Sequence, residues 1–276
     1  MTHESKYDKR NKLNDLTGKE WLLLTKSFWL SEKCVDDKDA FKHPAPFLIK
    51  DTMKLISMFT KKGMRVLDPF CGSGTTLIAA NNLERIGVGI DLNDEYKTLS
   101  VKRLSKKGFV EKKDFFYYIG DSNIILKDIE QVDYIITSPP YHNILRNKGN
   151  GLRKQSEKGF RSGSRTGIEY YSEHENDLGN KETYSLFLQA FMQIMEKCFA
   201  VLNAGKYTTI IISDFTVDKV EVCVQADIVN CMRNCGFEFT GTTVLLQDNK
   251  PLYPFGYPYA YKINHQHQNI LNFRKK

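Results

Sequence analysis

Residues 137–141, Thr-Ser-Pro-Pro-Tyr, combine a hydroxyl, two prolines and an aromatic ring where the chain must turn. They follow the largely apolar run 133–136, which is typical of a buried strand, and consecutive prolines cannot continue a central strand because neither has an N–H. The chain therefore leaves the sheet at Ser138, at the kind of strand end where open α/β sheets bind ligands. This corner could hold a flat ring bearing an amino group, stacked on Tyr141, with its hydrogens accepted by Ser138 and the Pro139 carbonyl. A proline turn without a function explains an isolated motif of this kind equally well.

A glycine-rich turn elsewhere in the chain favours the functional interpretation of the proline motif. Residues 68–76 read Asp-Pro-Phe-Cys-Gly-Ser-Gly-Thr-Thr and lie between a predicted strand at 65–67 and a predicted helix at 77–83. Gly72 and Gly74 would allow a ligand close to the backbone, and the helix N-terminus offers free N–H groups. A nucleotide-like ligand needs this combination, and a turn used for packing alone is the less favoured alternative.

Two acids follow the next predicted strands. Asp91 ends the strand 87–91, where dinucleotide-binding folds place an acid that accepts ribose hydroxyls. Asp121 follows the strand 115–119 and could accept a hydrogen bond from an adenine amine. Helix capping by Asp91 and turn formation by Asp121 are the alternatives.

The alternation of strands and helices predicts an α/β fold with a mostly parallel twisted sheet and helices on both faces. The four strand ends would then share one rim. We predict a loose N-terminal arm at 1–20 and divide the chain into an arm or lid, 1–40, and a catalytic domain, 41–276. The further predicted helices are 48–60, 94–107, 181–202 and 220–234, and the further strands are 207–213, 237–246 and 270–274.

A glycine-rich basic segment follows the proline corner. Residues 142–167 hold five glycines and seven Lys or Arg against one Glu, and the segment is longer than an ordinary connection. Its side chains could follow a phosphate backbone, with a solvated flexible loop as the alternative. We therefore predict that 142–180 is a mobile DNA-contacting insertion. The candidate nucleic-acid-binding residues are Arg146, Lys148, Arg153, Lys154, Arg161 and Arg165.

Composition limits the class of protein. The 276 residues are 41% hydrophobic and 26% charged, as in soluble globular proteins, and a net charge of +7 favours an anionic partner. The polar N-terminus and the lack of an apolar run of ~20 residues predict no signal peptide, no membrane span and a cytoplasmic location. Six cysteines without a C-x-x-C pair predict buried thiols rather than disulfides or zinc, and no ligand cluster suggests another metal.

Taken together, the motifs at 68–76, 87–91 and 137–141 resemble the amino-group DNA methyltransferases, which use S-adenosylmethionine to methylate cytosine N4 or adenine N6. The run 43–47, His-Pro-Ala-Pro-Phe, resembles the segment that closes over the methionine end of that cofactor, and 269–275 resembles the last strand of the family. In many relatives the proline motif comes first in the chain, whereas here it follows the glycine motif. This order leaves the position of the target-recognition segment open, and the insertion 142–180 is the candidate for it.

The resemblance implies a Rossmann-like methyltransferase fold and a role for each motif residue. Asp91 would hold the ribose and Asp121 the adenine amine, and the motif at the position of Asp68 approaches the methionine ammonium group. The implied target-base residues are Ser138, Pro139, Pro140 and Tyr141. The implied cofactor residues are His43, Pro46, Phe47, Asp68, Pro69, Phe70, Gly72, Gly74, Thr75, Asp91, Leu92 and Asp121. The implied partner is DNA, with a cognate restriction endonuclease compatible with the family.

The first residue of the proline motif bears on the target atom. Serine favours cytosine N4, whereas aspartate is more usual for adenine N6. Cytosine C5 chemistry is excluded because it would need a cysteine after the proline. The amine is out of reach in a stacked duplex, so the base must be flipped out. Adenine N6 methylation, RNA base methylation and a non-catalytic nucleic-acid-binding subunit are the alternatives.

Overall fold

The computed structural model describes residues 7–43, 47–142, 171–172, 174–218 and 220–276. The strands in this part of the chain are β1 (Phe28–Leu30), β2 (Arg65–Asp68), β3 (Ile86–Asp91), β4 (Phe115–Ile119), β5 (Val132–Thr137), β6 (Leu202–Ile212), β7 (Phe215–Val217), β8 (Val220–Val222), β9 (Glu238–Leu246) and β10 (His267–Arg274). The helices are α1 (Gly18–Leu24), α2 (Ile49–Phe59), α3 (Thr75–Asn82), α4 (Asp94–Ser105), α5 (Ser122–Ile125), α6 (Tyr184–Val201) and α7 (Val224–Asn234). Short 3₁₀ helices cover Val35–Lys42, Leu126–Asp128 and Leu178–Asn180.

One mixed sheet carries the site, with the strand order β1-β9-β10-β6-β5-β2-β3-β4. Strands β2 to β6 run parallel to one another, and β10 is antiparallel to both of its neighbours. The chain proceeds from β2 outward to β3 and β4, then returns to place β5 on the other side of β2. A ligand crevice is expected at this switch point, outside the carboxyl ends of β2 and β5. The predicted mostly parallel α/β sheet is confirmed.

Helices cover both faces of the sheet, and this explains why the central strands are apolar along their whole length. In β5, Ile135 packs in the cluster that includes Phe187 and Phe191 of α6, whereas Ile136 packs with Leu55 of α2. Helix α6 buries every third or fourth residue of an apolar stripe, as its sequence period predicts.

Two element boundaries differ from the predictions. Helix α7 begins at Val224 rather than near 220, because β8 instead pairs antiparallel with β7. Strand β6 begins at Leu202, directly after α6, rather than at the predicted residue 207. Both differences depend on partners distant from the local pattern.

The prediction of a loose arm is wrong for the N-terminal residues that the structure describes. Asn14 is 2% exposed and donates its Nδ2 to the Met58 carbonyl at 2.7 Å. Leu13 and Leu16 pack against the cluster that contains α2. A buried amide with a matched acceptor and two apolar side chains holds this segment on the domain, while the division at residue 40 stays a prediction.

All six cysteines are free thiols, and four of them are buried; Cys34 is half-buried and Cys223 exposed. Burial raises the pKa of the Cys71 and Cys198 thiols. In the described part of the chain, no helix has the length and apolarity that a membrane crossing would require.

Candidate active site

The glycine turn and the proline corner begin on neighbouring strands. Asp68 is the last residue of β2, and Thr137 is the last residue of the adjacent β5. The Thr137 hydroxyl donates to Asp68 Oδ1 at 2.6 Å, so a single hydrogen bond joins the two motifs. Both motifs therefore open into one cleft at the carboxyl ends of the parallel strands.

The cleft has two adjoining parts, which share His43, Phe70 and Ser138. The larger part has an empty volume of about 660 Å³, its open mouth included. The predicted residues that line it are His43, Pro69, Phe70, Asp91, Leu92, Asp121, Ser138, Pro139, Pro140 and Tyr141. Those that line the smaller part are His43, Phe47, Asp68, Phe70, Gly72, Thr75 and Ser138.

Among the predicted cofactor residues that the structure describes, Gly74 is the one that lines neither part. Its φ of +76° makes it the left-handed N-cap of α3, and an added Cβ would lie 1.8 Å from Ser100 Oγ on α4. Gly72 has a φ of +49°, and an added Cβ there would lie 3.0 Å from His43 Nε2 at the cleft. The alternative of a packing glycine therefore applies to Gly74, whereas Gly72 lines the smaller part of the cleft.

Arg103 supports the glycine turn from helix α4. This guanidinium is 4% exposed, and its Nη1 donates to the Ser73 carbonyl at 2.6 Å and to the hydroxyls of Ser73 and Thr75 at 3.1 Å. Burial lowers the pKa of Arg103. The sequence analysis missed this residue, because an arginine in an amphipathic helix is usually solvated.

Asp91 faces the glycine turn with both carboxylate oxygens occupied. Oδ2 accepts from Gly72 N at 2.7 Å and Oδ1 from Asn93 N at 2.9 Å. Burial raises the pKa of Asp91 to about 7, and the two N–H groups oppose that shift. The N-cap of α4 is Asn93, which accepts from Glu95 N, so the capping alternative for Asp91 is wrong.

Asp68 is 2% exposed and ties three segments together. Its oxygens accept from the Thr76 and Thr137 hydroxyls, each at 2.6 Å, and from Phe70 N at 3.1 Å. Burial raises the pKa of Asp68 to about 6 against these hydrogen bonds. Neither threonine was predicted as a site residue, although Thr76 ends the glycine motif and Thr137 begins the proline motif.

Asp121 caps a short helix and also lines the cleft. Oδ1 accepts from Asn123 N at 2.8 Å as the N-cap of α5, and Oδ2 accepts from Asn176 Nδ2 at 2.9 Å. The second bond anchors the end of the predicted insertion at the rim. The same carboxylate lines the larger part of the cleft.

At the proline corner, Ser138 is half-buried, and its hydroxyl makes no hydrogen bond to any residue that the structure describes. Pro139 is buried behind it. The Tyr141 ring stacks on Phe215 with centroids 5.5 Å apart and planes 22° apart. The Tyr141 hydroxyl accepts from Ser213 N at 3.1 Å and from Gln268 Nε2 at 3.2 Å.

The end of the predicted insertion forms one wall of the cleft. Asn93 Nδ2 donates to the Tyr171 carbonyl at 3.1 Å, and the His43 ring lies 4.6 Å from Tyr96 and 5.9 Å from Tyr171. This part of 142–180 is packed rather than mobile, whereas Pro46 and all six candidate basic residues lie outside the described residues. The residues of the larger part that were not predicted from the sequence are Tyr96, Ser122, Tyr171, Ser172, Asn176, Asp177, Leu178 and Ile194.

The cleft fits the cofactor that the resemblance implies. It combines acceptors for hydroxyl and amino groups, at Asp91 and Asp121, with the apolar surfaces of Phe70 and Leu92. Gly72 lines the smaller part without a side chain, so a ligand can approach the backbone there. Among the described residues no group of three His, Cys, Asp or Glu side chains is placed to hold a metal ion.

Comparisons with known proteins agree with this geometry. Residues 2–102 and 132–276 match the N6_N4_Mtase family model, described as DNA methylase. The type II methyltransferase M2.DpnII of Streptococcus pneumoniae is 39% identical over 108 residues, which are 37% of this chain and 36% of that protein. The tRNA (guanine(10)-N2)-dimethyltransferase of Methanocaldococcus jannaschii is 32% identical over 123 residues, 39% of this chain and 32% of that protein.

The crystal structure of TrmN from Thermus thermophilus superposes with a TM-score of 0.52 at 16% identity, covering 89% of this chain and 55% of that one. This likeness shows the fold alone. The aligned regions span only about a third of the length of the two sequence relatives.

Proposed function

The chain belongs to the DNA methylase family, and from this premise we propose that it transfers a methyl group from S-adenosylmethionine to the exocyclic amine of a flipped base in DNA. Cytosine N4 is the favoured target. The observation that carries the proposal is the shared cleft, where the Thr137–Asp68 hydrogen bond joins the glycine turn to a corner whose Ser138 hydroxyl is available.

The larger part of the cleft would hold the nucleoside end of the cofactor. Asp91 would accept from the ribose hydroxyls and Asp121 from the adenine amine, with Phe70 and Leu92 against the ring. Phe47, Gly72 and Thr75 in the smaller part would contact the methionine end. The bound cofactor supplies an electrophilic methyl group on a positively charged sulfur.

Ser138 and Pro139 would activate the target amine by orienting it. An exocyclic amine is a poor nucleophile because its lone pair is delocalised into the base. If the Ser138 hydroxyl and the Pro139 carbonyl accept its two hydrogens, the lone pair is directed out of the ring plane. The nitrogen–carbon bond then forms as the carbon–sulfur bond breaks, and the nitrogen releases one proton. Most of the rate gain would come from positioning.

Tyr141 would hold the flipped base. Phe215 stacks on one face of its ring and Tyr141 lines the cleft, so the target base would stack on the other face. Flipping costs a few kcal/mol, which stacking would offset together with phosphate contacts from the basic residues of 142–180. The type II name of the sequence relative supports a cognate restriction endonuclease as a partner.

The polymer and the target atom can be tested together. Tritiated methyl transfer is measured on DNA and on RNA, and the methylated nucleosides are then identified by mass spectrometry. We expect label in DNA, recovered as N4-methylcytosine. N6-methyladenine would overturn the N4 assignment alone. Label in RNA only would favour the RNA alternative, which the tRNA methyltransferase relative supports, and no S-adenosylmethionine binding in calorimetry would favour a non-catalytic subunit.

A further inference from the structure

The hydroxyl of Tyr141 is anchored, although base stacking needs only the ring. It accepts hydrogen bonds from Gln268 Nε2 at 3.2 Å and from Ser213 N at 3.1 Å, while Phe215 packs parallel to the ring. A contact along one face and a tether at the far end together define the plane of the ring. Gln268 provides the side-chain part of this tether.

Gln268 is itself held in a fixed place. It is the second residue of β10 and pairs with Leu245 of β9. Its Oε1 accepts from Gln247 Nε2 at 3.2 Å, and Gln247 N donates to the Gln266 carbonyl at 2.7 Å next to it. The amide that meets Tyr141 is therefore preorganised by two strands and a second amide, and a site built on strands holds its geometry well.

We infer that Gln268 is a positioning residue, which fixes the plane of the Tyr141 ring and thereby the surface on which the target base stacks. This inference rests on the proposed function. It assigns a role to the tyrosine hydroxyl that stacking does not explain. It also links the far end of the sheet, β9 and β10, to the target-base side of the cleft rather than to the cofactor side.

A double-mutant cycle separates this role from a general contribution to folding. Gln268→Leu, Tyr141→Phe and the double variant are compared for kcat/KM on DNA, affinity for S-adenosylmethionine and Tm. We expect Gln268→Leu to lower kcat/KM by about fivefold, the usual effect of one lost hydrogen bond, with unchanged cofactor affinity. In the Tyr141→Phe background, where no hydroxyl remains, the same change should have less than about a twofold effect.

Gln225→Leu is the matched control. The Gln225 amide donates to the Thr242 hydroxyl at 3.0 Å, which is also a side-chain amide on a hydroxyl, but Gln225 lines neither part of the cleft. Its kcat/KM should equal that of the wild type. If Gln268→Leu does not fold, Gln247→Leu removes the supporting amide instead and should show the same dependence on the Tyr141 hydroxyl.

The outcomes are distinct. The inference would be overturned if the Gln268 substitution had equal effects with and without the Tyr141 hydroxyl. It would also be overturned if the substitution lowered cofactor affinity alone. In both cases an active wild-type protein would still support the proposed function. A wild-type protein that methylates neither DNA nor RNA would contradict both the inference and the proposed function.

Discussion

At the scale of single residues, the site contains two acids, Asp68 and Asp91, whose pKa values are raised toward neutral pH. Asp91 is half-buried at the cleft and accepts from two N–H donors, and the desolvation of its carboxylate prevails, so its pKa rises to about 7. An unfolded aspartate ionises near 3.8, so this group lowers the stability of the fold as pH rises from there to about 7. A desolvated carboxyl that opposes folding but faces a cleft is more easily explained by a ligand than by packing.

The pH dependence of cofactor affinity tests the role of Asp91. Ribose hydroxyls would donate to the ionised carboxylate, so binding should tighten as pH rises through about 7, by about tenfold between pH 6 and pH 8. Calorimetric titration with S-adenosylmethionine at several pH values measures this. Asp91→Asn should bind more weakly and with a flat profile. A wild-type profile that is equally flat would contradict the assignment.

Substitution of Ser138 tests the chemical step. Ser138→Ala should reduce methyl transfer by about 10- to 100-fold, because it removes a hydrogen bond to a group that becomes charged in the reaction. Cofactor affinity should stay within about twofold, since Asp91 and Asp121 remain. Ser57→Ala on α2, where the hydroxyl donates to the Lys54 carbonyl, is the control and should leave both quantities unchanged. Equal losses of transfer and cofactor affinity in Ser138→Ala would argue against its role.

At the scale of elements, the glycine turn is clamped between β2 and α4. Asp68 holds it from the strand and Arg103 from the helix, and Gly74 lets the two approach. The motif that the sequence indicates as a cofactor-binding turn thus also connects strand β2 to helix α4. If the turn binds the cofactor as proposed, substitutions here would change cofactor affinity and fold stability together.

Two glycine substitutions separate the cost of a left-handed backbone conformation from the cost of a steric clash of the added Cβ. Gly74→Ala should destabilise the fold by roughly 2–5 kcal/mol, because it adds a left-handed residue and forces a Cβ against Ser100. Gly63→Ala has nearly the same φ, +78°, with nothing within 4 Å of the added Cβ, and should cost only about 1–2 kcal/mol. Urea denaturation measures both. Equal costs would show that α4 does not pack as described.

The sequence predicts elements where the signal is local and misses them where it is not. Apolar runs ended by Asp or by Ser-Pro-Pro mark the central strands, so the sheet and its rim follow directly. The local sequence does not predict the hairpin β7–β8, the packed N-terminal segment or the cleft wall at Tyr171. Each of these depends on a partner distant in sequence, such as Met58 or Asn93. In the site, strand-end acids were found, whereas Arg103 and Gln268 were not, since their helix and strand patterns are ordinary.

At the scale of the whole molecule, a net charge of +7 suits a polyanionic substrate. The candidate basic residues of the insertion, in a segment next to the proline corner, would add phosphate contacts where the target strand enters. Such contacts would give affinity rather than sequence discrimination.

Salt dependence tests that role. If all six candidates contact phosphates, the logarithm of the DNA association constant should fall with the logarithm of salt concentration with a slope of roughly −5. Replacing Arg153 and Lys154 by Ala should reduce that slope by about 2. Replacing Lys106 and Lys107, which pair with Asp39 and Asp36 at the far end of α4, should not change it. An unchanged slope in the first variant would place the DNA elsewhere.

The central claim is that the glycine turn and the proline corner serve one reaction. A crystal structure with S-adenosylhomocysteine bound tests it most directly. We predict the ribose at Asp91, the adenine at Asp121 and the sulfur turned toward Ser138. A ligand bound outside this cleft, or one whose sulfur is separated from Ser138 by protein, would contradict it.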